Sequence, residues 1–104
     1  MGISYNPEFA DVMQDGYVSG VVTVGTSQVE AKVGASRLEG REMLVIYNDS
    51  NSTIYHGPSG VTTSGANKGI PILKGEFVSI MSGDLGVFLI TTGPGKNVIV
   101  QEWA

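Results

Sequence analysis

Apolar and polar positions alternate along most of this chain, and the alternation has a period of two. Val29, Ala31 and Val33 point one way while Gln28, Glu30 and Lys32 point the other, the spacing of a half-buried strand over Thr26 to Val33. Tyr17 to Val24 precedes it as a first strand, across Gly25-Thr26. Met43 to Tyr47 is a short apolar run, Asn48 to Ser52 is wholly polar, and Thr53 to His56 is β-prone again. Two such runs around five turn-formers predict a β-hairpin with a longer loop. Further strands are expected at Ile70 to Gly75, Phe77 to Met81, Val87 to Thr92 and Val98 to Trp103, with turns at Ser82-Gly83-Asp84 and Gly93 to Asn97. Pro71 cannot donate to a central ladder, which puts its strand at an edge or makes it a strand start.

Two stretches break the pattern. Gly34 to Glu42 lacks alternation and is expected to be a loop, with at most one helical turn, in which Leu38 plugs one end of the core. Arg37 and Arg41 flank Leu38 and are expected at the surface, paired with Glu39, Glu42 or another acid, or with a neighbouring subunit. Pro58 to Gly69 is a second loop, with Val61 tucked under it. Residues 1–16 form a separate segment ahead of a domain at 17–104. That segment holds Glu8, Asp11 and Asp15, none of the basic residues, and the apolar Ile3, Tyr5, Phe9, Val12 and Met13. It reads as an extended arm that orders on a neighbour, as a frayed terminus, or as a short helix after Pro7.

Composition supports the strand reading. Valine and isoleucine together number 21 against 5 leucines, and β-branched side chains fit a pleated surface better than a helix. The 15 glycines and 4 prolines cut the chain too often for long helices. Seven or eight short strands with short connections predict an all-β fold, an antiparallel β-sandwich of jelly-roll type or a small barrel. Long βα crossovers are missing, which argues against a parallel α/β fold.

Charge and chemistry narrow the function classes. The net charge is −4 and the 6 basic residues are scattered, so no nucleic-acid partner is expected. No apolar run approaches the length of a membrane span, and no secretion signal or membrane partner is expected. With no cysteine and one histidine, no zinc site can be assembled, and His56, beside Tyr55 at a strand end before Gly57-Pro58, is expected in a surface or hydrogen-bonded structural role and not as the base of a triad. Gly57-Pro58-Ser59-Gly60 is one residue short of a nucleophile elbow, and Gly95-Lys96-Asn97 is not a phosphate loop. Asn48, Asp49 and Asn51 read as turn chemistry in preference to a calcium loop or glycosylation sites. Glu30, Glu76 and Glu102 are candidates for paired carboxylates, and Tyr17, Tyr47, Tyr55 and Trp103 for a sugar platform, but nothing marks either set. No catalytic residue, cofactor or metal is expected.

One feature exceeds what a lone domain needs. Phe77 and Met81 oppose Val78 and Ile80 on their strand, and Phe88 and Ile90 oppose Val87 and Leu89. Strands apolar on both faces are covered on both faces. The second cover is expected to be another copy, loop 57–69 or the N-terminal segment.

Taken together, Val29-Glu30-Ala31-Lys32-Val33-Gly34, Ser36-Arg37-Leu38-Glu39-Gly40-Arg41, Leu44-Val45-Ile46-Tyr47-Asn48 and Ile54-Tyr55-His56-Gly57 form a pattern that resembles small structural proteins of tailed bacteriophages. Gly60-Val61-Thr62-Thr63, Gly69-Ile70-Pro71-Ile72 and Gly75-Glu76-Phe77 continue it, so the likeness spans about residues 20–103. The resemblance implies a non-enzymatic β-sandwich module on a capsid surface or in a tail, with the major capsid protein and further copies of itself as partners, for instance in a trimer. It carries over no catalytic residue. Contact is then expected through Phe9, Val12 and Met13 of the arm, through Phe77, Met81 and Phe88, and through the loop around Val61. A tail or head–tail component, a carbohydrate-binding adhesion module and a minor hydrolase are the competing readings.

Overall fold

The computed structural model of the protein describes residues 16–104. The arm at residues 1–16, with Phe9, Val12 and Met13, lies outside the described residues but for Gly16. Eight strands follow: β1 (Tyr17–Val24), β2 (Val29–Glu30), β3 (Met43–Tyr47), β4 (Ile54–Gly57), β5 (Ile70–Ile72), β6 (Phe77–Ile80), β7 (Phe88–Ile90) and β8 (Lys96–Trp103). They make two four-stranded antiparallel sheets, ordered β1-β8-β3-β6 and β2-β7-β4-β5. All strands but one pass to the opposite sheet at their next connection; only β4 and β5 are consecutive and paired. This is the strand order of a jelly-roll sandwich, as the strand count and turn spacing predict.

The core lies between the sheets and is aliphatic. Val98 and Val100 of β8 meet Leu44 and Ile46 of β3 on one side, and Ile54, Ile72 and Leu89 supply the other. Alternation explains this choice, since every second residue of each strand faces inward. Val78 and Ile80 of β6 pack against the same cluster. Burying an aliphatic side chain of this kind contributes about 1.5–3 kcal/mol.

Several expectations are corrected, among them the turn at Gly93 to Asn97, whose last two residues, Lys96 and Asn97, open β8. Met43–Tyr47 and Ile54–Gly57 do not form a hairpin; β3 pairs with β6 and β8, and β4 with β5 and β7. The connection is a corner built on buried Asn48. Its side-chain amide donates to the carbonyls of Ser52 (2.7 Å) and Ile72 (2.8 Å), and its Oδ1 accepts from the backbone N–H (3.0 Å) and hydroxyl (2.6 Å) of Ser50. The expected strand over residues 26–33 shrinks to Val29–Glu30. Beyond it the N–H of Ala31 still donates to the carbonyl of Val87 at 2.8 Å, and the N–H of Val33 donates to the Glu102 carboxylate at 2.8 Å. Leu38 is only half-buried and stands outside the core cluster.

The end of the sandwich assigned to Leu38 is filled by charge. Arg41 and Glu102 are both buried and form an ion pair at 2.9 Å. Glu102 continues the inward parity of Val98 and Val100, and its carboxylate also accepts the N–H groups of Val33 and Leu38. Arg41 donates to the carbonyls of Ala31 (3.2 Å), Gly83 (2.9 Å) and Leu85 (2.7 Å). One ion pair therefore ties the loop over residues 31–41 and the β6–β7 turn to the last strand, and gives its own polar atoms partners. Arg41 is thus no surface arginine. Arg37 is: it pairs with Glu30 and donates to the carbonyl of Asp84 at 2.7 Å.

Candidate functional site

The outer face of the sheet β1-β8-β3-β6 is the feature that stands apart. Directly opposed residues of antiparallel strands share a face, so the register sorts this one into rows. One row holds Tyr17, Trp103 and Met43, with Met81 beside it just beyond the end of β6. The middle row holds Ser19, Gln101, Val45 and Ser79. A further row holds Val21, Ile99, Tyr47 and Phe77. Thr23 and Asn97 close one corner, the Thr23 hydroxyl donating to the Asn97 side-chain oxygen at 2.9 Å.

None of these side chains carries a charge, in a protein with 16 charged residues. Several are large and open to solvent: Tyr17 is 54% exposed, Val21 66%, Phe77 64% and Met81 70%. Aromatic and long aliphatic groups left out to this degree sum to on the order of 500 Å² of apolar surface, the size of the largest patch on a typical monomer, which is often a functional one. The other sheet differs. Its outward residues include Tyr55, Phe88 and Ile90, which are half-buried, together with charged Glu30, and Lys68 sits 5.7 Å over the Tyr55 ring.

The expected contact residues are therefore divided. Phe77 and Met81 lie on the uncharged face. Phe88 does not, because it faces out from β7 on the opposite sheet. Val61 is buried beneath its loop, as expected, and is closed off as a contact residue; it packs where a Cβ on Gly57 or Gly69 would meet its methyl group at 2.9 Å or 2.7 Å. Loop 57–69 joins β4 to β5 at the other sheet and leaves Phe77 and Met81 open. The residues that sequence reasoning missed are Val21, Ile99, Met43 and Val45. Their outward parity was readable, but only the pairing of β8 between β1 and β3 brings them together.

The chemical candidates do not converge. Glu102 is consumed by Arg41, Glu30 by Arg37, and Glu76 sits in an exposed turn where it accepts the N–H of Leu73 at 3.0 Å. Tyr17 and Trp103 stack on each other, centroids 4.1 Å apart at an interplanar angle of 11°, so each covers a ring face that a sugar would need. Tyr55 is on the other sheet. A shallow depression of about 580 Å³ between Glu30, Lys32, Arg37 and Asp84 carries both signs of charge, with its arginine already engaged. Half-buried His56 has its pKa lowered below 6.5 by desolvation, and no acid or nucleophile stands beside it among the described residues.

No protein-family model matches the chain, and no curated protein matches it. A solved structure from Bacillus endospore appendages, described as a family of disulfide-linked pili, is 13% identical to this chain, covers 85% of it and 84% of its own chain, and has a TM-score of 0.44. The present chain has no cysteine and makes no such link.

Proposed function

We propose that the protein is a non-enzymatic structural subunit that works by burying the uncharged face of its β1-β8-β3-β6 sheet in an assembly. The observation that carries this reading is that face: aromatic and aliphatic rows that stand open to solvent, with no charged side chain among them. A sheet face of this kind, left in water, is an association hazard unless association is its purpose. The resemblance of residues 20–103 to small structural proteins of tailed bacteriophages supplies the finer statement, a subunit that decorates and cements the capsid. Jelly rolls serve in capsid domains, among other roles, and that support is by fold analogy. Each contact is of modest area, but symmetry repeats it many times over a shell, so weak contacts sum to a stable one.

The test is sedimentation of the purified chain with empty tailed-phage heads, and separately with tails, from particles stripped of their small surface proteins. Binding to heads at a stoichiometry that saturates supports the cement reading. Binding to tails alone moves the chain to a tail or head–tail position. Binding to neither overturns the proposal.

A further inference from the structure

We infer that the occupant of the uncharged face is a second copy of this chain, packed face to face across a two-fold axis. This deepens the assembly reading and rests on it. The argument is the symmetry of the pattern. Apolar rows stand on either side of a middle row that is small or polar, apart from Val45. An axis lying between two such faces and running along the middle row sets apolar rows on apolar rows, and sets serines and Gln101 on their counterparts. A two-fold contact must be self-complementary in this way, whereas a foreign partner imposes no such symmetry on the pattern.

Charge points the same way. Two identical chains bring identical charges, and like charges meeting across an interface are costly. This face has none to bring, although each copy carries a net charge of −4. Area is adequate. Two faces of on the order of 500 Å² each bury about 1,000 Å² in total, the lower bound for a specific interface, so the pair is expected to dissociate on dilution. Packed sheets stand about 10 Å apart with strands within about 30°, which lays the rings of Tyr47 and Phe77 over the row of the other copy that holds Met43 and Met81. An isologous pair of this kind takes the place of the cyclic trimer expected from the sequence.

The experiment is sedimentation equilibrium of the full chain from low concentration to on the order of 100 µM, where a pair of this size is populated. Phe77→Lys and Val21→Lys sit at opposite edges of the face, and Ile70→Lys, an exposed position on the other sheet, is the control. Near-ultraviolet circular dichroism reports that each is folded. A wild-type dimer that is lost in both face variants, or weakened at least tenfold, and kept in Ile70→Lys supports the inference. A dimer untouched by both face variants overturns it. A wild-type chain that stays monomeric also overturns it, whatever the variants do. If that monomer still sediments with phage heads, and Phe77→Lys does not, the face serves a foreign partner and the assembly reading stands. If it sediments with nothing, both fall.

Discussion

Glu102 is where a single residue decides most. It stands in the inward parity of β8, so its charge is buried, and Arg41 neutralises it. Glu102→Gln leaves the arginine buried and uncompensated, and is expected to cost about 3–5 kcal/mol in urea unfolding. Replacing a bare buried ion pair by apolar groups is often harmless. Here it is not, because the pair also satisfies the N–H groups of Val33 and Leu38 and the carbonyls of Ala31, Gly83 and Leu85. Each orphaned group costs about 1–3 kcal/mol, so Arg41→Met/Glu102→Leu is expected to be no more stable than either single variant. A double variant restored to wild-type stability would show that the ion pair, and not the backbone stitching, matters. The inward position of Glu102 was legible from Val98 and Val100 by counting in twos. Its partner was not, because a sequence offers six cations and no distances. His56 gives a second test at this scale. Burial lowers its folded pKa below 6.5, so the unfolded chain takes up the proton first as pH falls. Its neutral form therefore supports stability fully above pH 6.5, and that support is lost on acidification below it. His56→Gln is expected to flatten the pH dependence of the melting temperature just below 6.5; an unchanged slope there would contradict it.

Strands were read well one at a time and poorly in pairs. The expected strand Tyr17–Val24 and the apolar run Met43–Tyr47 match the observed bounds of β1 and β3. The polar run Asn48 to Ser52 reads as a hairpin loop, because turn residues look the same whether a chain folds back in one sheet or crosses to another. What selects the crossing is the carbonyl of Ile72, 24 residues away, to which the Asn48 amide donates. Asn48→Ala removes the donor to both Ile72 and Ser52 and the acceptor for Ser50, and is expected to cost at least 1–3 kcal/mol by chemical denaturation. A loss below about 0.5 kcal/mol, the scale of a surface substitution, would show that the corner does not depend on it.

On the scale of the molecule, the sandwich has one face that water does not suit. The alternation shows that Phe77 and Met81 oppose core residues, and that part of the uncharged face is legible in the sequence. It grouped Phe88 with them because both strands looked alike; the sheet order separates them. The account therefore stands on whether this face is covered when the protein is at work. Met81 reports on that directly, being 70% exposed in the single chain. The measurement is its rate of oxidation by dilute peroxide, read by mass spectrometry on the dilute chain, on the concentrated chain and on the assembled particle. The account predicts fast oxidation at dilution and strong protection in the other two. Equal rates in all three would contradict it.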